Sequence, residues 1–256
     1  MPTIELVLMG YGVRSSQGGL GYSTVALVRG RNTILFDTAH YGRRNLLEQA
    51  LQQRGVQPEE VNMVVVSHAH WDHCQNVDAF PAAEMVVHPV ELDYSRSPRK
   101  GDWATPSYFV ESLKGHKIRE ASEGEELEPG VRVLETPGHT KGHISLAVDT
   151  PDGTVVLAAD AFTNADTVRT GQIGIVFWDE AQSEESVQKL LGTGRIIYPG
   201  HDRPFRILED KRTEYLVEQQ PIELYGALEP GKGVVSVTLG PHAPVERLVH
   251  PEARKR

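Results

Sequence analysis

Short apolar runs rich in β-branched residues recur along the chain, and each has the length of a β-strand rather than of a helix. The run at residues 61–67 is typical, since five of its seven residues are Val or Met. Runs of the same kind predict strands at residues 3–9, 22–28, 33–38, 85–88, 131–134, 142–148, 154–158, 195–198 and 234–239.

Apolar residues recur at helical spacing in other segments. These patterns predict helices at residues 43–54, at 183–191 with Ser183 as N-cap and Gly192 beyond the end, and at 209–218. A shorter helix is expected from Trp71 to Cys74. Strands that alternate with helices indicate an α/β fold. Because composition does not shift along the 256 residues, we expect a single domain over residues 1–256.

Two segments interrupt this alternation. Glycines at positions 10, 12, 18, 19 and 21 predict a hairpin or a mobile loop after the first strand. A GxGxxG-type phosphate-binding loop is disfavoured there, because no helix in a dinucleotide-binding register follows. Residues 94–116 mix aromatic residues with proline and glycine. That mixture predicts an irregular loop with a short helix, which either covers a substrate or packs on the surface.

The sequence His-Ala-His-Trp-Asp-His at residues 68–73 directly follows the strand predicted at 61–67. Three imidazoles and a carboxylate within six residues do not suit a hydrophobic core, whereas a loop at the carboxyl end of a strand is where α/β sheets place ligand sites. Nitrogen and oxygen donors without a thiolate favour Zn²⁺, with Fe or Mn as alternatives. The competing interpretation is a solvent-exposed loop rich in histidine.

Three further predicted strands are each followed by one residue of a metal-binding type. These residues are His139, Asp160 and His201, so that four strand ends deliver His68, His70, Asp72, His73, His139, Asp160 and His201. The set amounts to a complete two-metal site. Asp37 ends another predicted strand and either caps a turn or orients a ligand imidazole. His88 and His143 are expected to make structural hydrogen bonds instead.

Charge and cysteine content restrict the partners and the compartment. The net charge of −9 gives no basic face for a phosphate backbone, so we expect no nucleic-acid partner. A single Cys excludes an intramolecular disulfide and a CxxC motif, which suits a reducing compartment. The first residues lack the basic and long apolar stretches of a signal or membrane segment. We therefore expect a cytoplasmic protein without a membrane partner, and a homodimer as the default assembly.

The order of these residues resembles that of the metallo-β-lactamase-fold superfamily of metallohydrolases. The likeness rests on His68-x-His70-x-Asp72-His73 followed by His139, Asp160 and His201, and it covers residues 68–201. It implies a four-layer αββα sandwich of two mixed β-sheets with outer helices. It also implies that His68, His70 and His139 hold one metal ion, that Asp72, His73 and His201 hold the other, and that Asp160 bridges them.

Two Zn²⁺ ions in such a site lower the pKa of a shared water towards ~7 and polarise a carbonyl group. The sequence therefore predicts a metal-dependent hydrolase that cleaves a small-molecule ester, lactone, thioester or amide with metal-bound hydroxide. Asp72 is the expected proton carrier to the leaving group. Cys74, beside His73, is expected to point away from the site along its helix.

Comparison with subfamilies of this superfamily narrows the class of enzyme. The zinc β-lactamases proper usually lack the bridging Asp, and glyoxalase II-like enzymes carry a C-terminal helical domain for which the residues after His201 are too few. N-acyl-homoserine-lactone lactonases share the ligand set, but their Tyr three positions after the bridging Asp is Thr163 here. Two other functions stay open. They are a mononuclear iron dioxygenase of the persulfide dioxygenase type and a non-catalytic binding protein of the same fold.

Overall fold

A computed structural model describes residues 1–15, 18–220, 222 and 247–254, so the strand predicted at 234–239 lies outside the described residues. The strands are β1 Thr3–Leu8, β2 Tyr11–Ser15, β3 Gly18–Tyr22, β4 Val25–Arg29, β5 Thr33–Phe36, β6 Met63–Val65, β7 Glu84–Val87, β8 Ile118–Glu120, β9 Glu126–Glu128, β10 Val131–Glu135, β11 Ile144–Thr150, β12 Gly153–Ala159, β13 Ile175–Val176, β14 Ile196–Pro199, β15 Phe205–Ile207, β16 Thr213–Tyr215 and β17 Leu248–Val249. The α-helices are α1 Arg44–Gln52, α2 Trp71–Cys74, α3 Pro89–Arg96, α4 Phe109–Ser112, α5 Asp166–Thr170 and α6 Glu180–Thr193.

Two mixed sheets form the body of the molecule. The first has six strands in the order β1-β4-β5-β6-β7-β8, and the second has seven in the order β16-β15-β14-β12-β11-β10-β9. Strands β5 to β8 run parallel, whereas β12 and β14 are the parallel neighbours of the second sheet. The glycine-rich segment forms the hairpin of β2 and β3, one of the two conformations predicted for it.

Three apolar clusters separate four layers. The period-two alternation of β12 shows the arrangement, because Val155 and Leu157 face the cluster between the sheets while Val156 and Ala158 face the cluster under α6. On the opposite side, the outer face of the first sheet packs against Leu47 of α1 and other apolar side chains. The predicted αββα sandwich is therefore confirmed. The single domain over residues 1–256 stays a prediction.

The connectivity sends five loops to one edge of the sandwich. Because β5 and β6 are parallel, Asp37 and the 68–73 motif leave the same end of the first sheet. In the second sheet, β10 and β12 both run antiparallel to β11, and β14 runs parallel to β12. The loops that carry His139, Asp160 and His201 therefore also share one end. Among the described residues, no helix is long and apolar enough to cross a membrane.

Two helix predictions need correction. Residues 209–218 contain β16, which pairs with β15 across a turn at Lys211 with φ 63°, so tertiary pairing overrides the helical spacing. The helix expected at 183–191 is the longer α6, whose N-cap is Asp179 rather than Ser183. The Asp179 carboxylate accepts from the backbone N–H of Gln182, and Gly192 lies inside the helix.

Candidate metal centre

The seven residues singled out in the sequence lie together at the shared edge of the two sheets. They form two groups, and within each group the candidate ligand atoms lie within 4.8 Å of one another. The first group is His68, His70, His139 and Asp160, and the second group is Asp72, His73 and His201. Six of the seven are buried and His201 is half-buried. A cluster of imidazoles and carboxylates with so little solvent contact is unusual unless the groups are paired or bind a cation.

Asp160 contacts both groups, one with each carboxylate oxygen. Its Oδ2 lies 3.2 Å from Nε2 of His139 in the first group. Its Oδ1 lies 3.3 Å from Nε2 of His73 and 3.2 Å from Nε2 of His201 in the second group. A side chain with this orientation can hold one cation on each oxygen.

The backbone on either side of Asp160 permits this orientation of its carboxylate. Ala159 adopts φ 43° and ψ −135°, a conformation that L-residues seldom adopt, and the pairing of β12 with β14 shifts register at the same residue. Such an irregularity re-aims the next side chain away from the sheet. Gly200 leaves the space that the carboxylate needs, because a Cβ atom there would lie 1.9 Å from Oδ1 of Asp160.

Hydrogen bonds that lead to Asp37 determine which ring nitrogen is protonated in two of the imidazoles. The hydroxyl of Ser67 donates to Oδ2 of Asp37 at 2.9 Å, so Ser67 Oγ accepts from Nδ1 of His68, which lies 2.9 Å away. Nδ1 of His73 donates to the same Asp37 oxygen at 2.7 Å. In its neutral form each of these imidazoles therefore turns an unprotonated Nε2 towards the site. Asp37 orients candidate ligands, which decides between its two predicted roles.

Backbone carbonyls fix two more imidazoles in the same way. Nδ1 of His139 lies 2.8 Å from the carbonyl oxygen of Ile175, and Nδ1 of His201 lies 3.2 Å from that of Tyr22. A carbonyl oxygen can only accept, so each Nδ1 carries a hydrogen, and in the neutral imidazole each Nε2 is free for the site.

His70 has the opposite orientation. Its Nε2 lies 3.5 Å from Oδ1 of Asp102, while its Nδ1 lies 2.9 Å from Nε2 of His139. Asp102 is itself held by the hydroxyl of Tyr94 at 2.7 Å and that of Thr105 at 2.8 Å. The Asp102 carboxylate is the acceptor-type group beside Nε2, and although this contact is longer than a hydrogen bond, it favours the hydrogen on that nitrogen, so His70 presents Nδ1 to the first group.

Several atoms of the cluster are buried without a partner, which is the property expected of metal ligands. Nε2 of His68, Nε2 of His73 and Oδ1 of Asp160 have no hydrogen-bond partner within the described part of the chain. Buried polar atoms are otherwise almost always hydrogen-bonded. Imidazole nitrogen and carboxylate oxygen in groups of three or four match the donor set of Zn²⁺. The residues present therefore fit a metal centre.

The pKa values of the clustered side chains depend on burial and on the neighbouring charges. Burial, together with the neighbouring imidazoles, lowers the pKa of His68 well below its usual value, and burial lowers the pKa of His139 to about 4. Burial alone would also lower the pKa of His73, but Asp160, Asp37 and Asp72 outweigh it and raise that pKa well above the usual value. Burial would raise the pKa of Asp160, yet the nearby imidazoles hold it well below its usual range. A cation that binds the second group must therefore displace protons.

Comparison with known proteins agrees with this geometry. The family model of the metallo-beta-lactamase superfamily matches residues 18–201. The chain belongs to the metallo-beta-lactamase superfamily. Metallo-beta-lactamase domain-containing protein 1 of Xenopus laevis is 34% identical over 187 residues, which cover 73% of this chain and 73% of that protein. An N-acyl homoserine lactonase of Bacillus thuringiensis is 28% identical over 158 residues, which cover 59% of this chain and 60% of that protein.

A solved structure supports the fold. The structure of AidC, described as a dizinc quorum-quenching lactonase in complex with a product, superposes with a TM-score of 0.61. The match covers 77% of this chain and 80% of that chain at 17% sequence identity. At this identity the likeness establishes the shared fold alone.

Two phenylalanines, the single cysteine and one further histidine lie near the ligand-bearing loops. Phe177 is buried with its ring centroid 5.1 Å from that of His70, whereas Phe162 packs in the core against Phe205. Cys74 is buried in the apolar cluster of the first sheet, with Sγ 3.6 Å from the carbonyl oxygen of Ala69. His143 makes its predicted local hydrogen bond, with Nδ1 2.8 Å from Oγ1 of Thr136.

Three residues that the superfamily motif does not contain also shape the site. Ser67 and Asp102 orient His68 and His70, and Glu91 accepts hydrogen bonds from two ligand-bearing loops. Asp102 lies in the irregular segment, where nothing in the sequence marks one Asp above another. Glu91 stands in the first turn of α3, where an acidic residue suits the helix dipole, so its residue type alone does not mark it as part of the site.

Proposed function

We propose that this protein is a hydrolase that uses two divalent metal ions, Zn²⁺ in the first instance, to cleave a small-molecule ester, lactone, thioester or amide. The observation that carries the proposal is the orientation of Asp160, whose two oxygens face different groups of ligand-type residues. A mononuclear site, as in an iron dioxygenase, would need only one oxygen of Asp160 to face ligand-type residues. A non-catalytic protein of this fold would not need either group.

The residues divide between the two ions as the groups divide. His68, His70 and His139 would hold one ion, Asp72, His73 and His201 the other, and Asp160 would contact both. Bound divalent ions of this kind lower the pKa of a water towards ~7 and polarise the substrate carbonyl. Asp37 and Asp102 keep three of the imidazoles in the tautomer that leaves the required nitrogen free.

Asp72 is the residue we assign to proton transfer. Its Oδ2 lies 3.4 Å from Nε2 of His201 and 3.9 Å from Nε2 of His73, so one oxygen faces the second group. A carboxylate at this position can orient water and then deliver a proton to the leaving group. Gly21 makes room for it, because a Cβ atom there would lie 2.4 Å from Oδ2 of Asp72.

The thiol of Cys74 does not qualify as a nucleophile. Burial and the neighbouring carboxylates raise its pKa well above the usual value, and a buried thiol in an apolar cluster stays protonated. The reaction then relies on activated water rather than on a covalent intermediate.

The substrate class rests on two further points. The names of the relatives favour a lactone or another small ester. The residue three positions after Asp160 is Thr163, so this chain lacks a phenol at that position. We therefore propose a general ester or lactone hydrolase rather than an enzyme restricted to N-acyl homoserine lactones.

The test begins with metal analysis of protein purified without added metal. Two zinc ions per chain support the proposal, whereas one iron ion per chain favours the dioxygenase. Zinc-loaded protein is then assayed against lactones, aryl esters, thioesters and phosphodiesters, with chelator-treated protein as the control. Turnover of lactones or esters that disappears on chelation is the expected result. Phosphodiester cleavage alone would contradict the proposed substrate class.

A further inference from the structure

Glu91 is a fully buried carboxylate that joins two loops of the metal centre. Its Oε1 accepts from the backbone N–H of Ala69 at 2.9 Å. Its Oε2 accepts from the hydroxyl of Thr140 at 3.0 Å and from the backbone N–H of Gly142 at 2.8 Å. One oxygen therefore holds each loop. A charge with no solvent contact is costly unless it is compensated, so three donors aimed at one carboxylate form a specific arrangement.

Two of the three donors stand directly beside imidazoles of the first group, and the third, Gly142, lies farther along the loop that carries His139. Ala69 lies between His68 and His70 in the chain, and Thr140 follows His139. The second group is held differently, because His73 bonds to Asp37 and His201 bonds to the carbonyl of Tyr22. Within the described residues, Glu91 accepts hydrogen bonds from groups near His68, His70 and His139 and contacts none of the second-group side chains in this way.

Close packing makes this contact sensitive to shape. A Cβ atom at position 142 would lie 2.3 Å from the backbone nitrogen of Glu91, so only glycine lets this loop approach α3 so closely. The Glu91 carboxylate lies between the two loops and therefore sets the distance between them.

We propose that Glu91 is a positioning residue that fixes the spacing of the two loops carrying His68, His70 and His139, and so sets the metal affinity of the first group. The inference rests on the proposed two-metal function. A Glu91→Gln side chain keeps the size but places an NH₂ group against at least one N–H or O–H donor. One loop then loses its acceptor and shifts.

Glu128 offers a matched control. It is also buried, with 6% exposure, and its carboxylate also accepts three hydrogen bonds, from the backbone of Arg31 and from the backbone and side chain of Asn32. Asn32 precedes β5 while Asp37 follows it, so Glu128 lies at the opposite end of that strand from the metal centre. Glu128→Gln therefore removes the same chemistry without touching a ligand loop.

The experiment measures zinc binding to wild-type, Glu91→Gln, Thr140→Val and Glu128→Gln proteins by competition with a chromophoric chelator. Crystals grown at limiting zinc then give the anomalous occupancy of each position. We expect Glu91→Gln to weaken the first position about 10–100-fold, as loss of a contact that orients ligands does, and to change the second less than about threefold. Thr140→Val should weaken the same position to a smaller extent, and Glu128→Gln should change neither.

The outcomes separate this proposal from the function on which it rests. Equal affinities in Glu91→Gln and Glu128→Gln, or equal loss at both positions in Glu91→Gln, would overturn the role of Glu91. If Glu91→Gln does not fold, Thr140→Val decides the matter by the same criterion. A wild-type protein that binds a single ion in the first group contradicts the two-metal function, yet the comparison of variants at that one position still decides the role of Glu91.

Discussion

Asp160 is the residue that both groups of the metal centre share, because each of its oxygens faces one of them. Asp160→Asn keeps the shape but removes the negative charge that both groups contact and replaces one oxygen with an NH₂ group that cannot bind a cation. We expect zinc occupancy to fall at both positions, with a loss of affinity of ~10-fold to 100-fold. Metal analysis after dialysis measures this change. Asp93→Asn, whose side chain is 78% exposed, is the control and should retain two ions.

Retention of two tightly bound ions by Asp160→Asn would contradict the bridging role. Loss at one position alone in Asp160→Ala, which lacks both oxygens, would assign Asp160 to a single ion.

Asp72 should matter for turnover more than for folding. Asp72→Asn removes the carboxylate that we assign to proton transfer, so kcat should fall ~10²-fold or more, as loss of a general acid/base does. Steady-state kinetics on zinc-saturated protein measures the change. A variant that binds two ions and turns over at the wild-type rate would show that Asp72 carries no proton.

The same kinetic measurement on Cys74→Ala tests whether the thiol takes part in the reaction. This substitution removes the only thiol, whose Sγ is buried in the core. We expect kcat within about twofold of the wild type and a stability loss of ~1 kcal/mol from the small cavity. An inactive but fully metallated Cys74→Ala protein would overturn the proposed use of water as nucleophile.

The sequence revealed the seven ligand-type residues because each follows an apolar strand, and strand ends can be recognised from composition. It did not reveal Ser67, Asp102 or Glu91 as members of the site. Their roles depend on distances between segments that are remote in the chain, such as the 3.5 Å between Asp102 and His70. A single polar residue carries no periodic signal that would disclose such a contact.

At the scale of elements, helix α6 tests the assignment of an N-cap. Asp179 accepts from the backbone N–H of Gln182, whereas the buried Oγ of Ser183 has no partner within the described ranges. Asp179→Ala should therefore lower the free energy of unfolding by about 1 kcal/mol, and Ser183→Ala should change it by less than ~0.5 kcal/mol. Urea denaturation measures both. A larger loss in Ser183→Ala would restore Ser183 as the cap.

Element prediction succeeded where local and long-range preferences agree. The hairpin of β11 and β12 has alternating apolar residues and a turn at Gly153 with φ 102°, so its sequence favours the pairing that the sheet requires. Residues 209–218 have helical spacing, but Phe205 pairs with Tyr215 and Arg206 with Glu214. The edge of the second sheet thus imposes a strand on a short, exposed segment whose own preference is weak.

At the scale of the whole molecule, zinc should stabilise the fold. Binding to the folded state alone contributes ~2.7 kcal/mol when the free ion is at 100 times its Kd. For a chain of this size that corresponds to roughly 5–10 °C in Tm. Thermal unfolding of zinc-loaded, chelator-treated and reloaded protein measures the shift. A Tm that chelation does not change would contradict a metal centre, and Asp160→Asn should show a smaller shift than the wild type.

Each group of ligand-type residues takes members from both sheets. Loops of the first sheet supply His68, His70, Asp72 and His73, and loops of the second supply His139, Asp160 and His201. Neither half of the chain contains a complete group, so a nascent chain that has emerged only as far as β10 cannot retain an ion tightly. If the two groups hold ions as proposed, we expect ion capture to be a late step in maturation, because it requires both halves of the chain to have folded against each other.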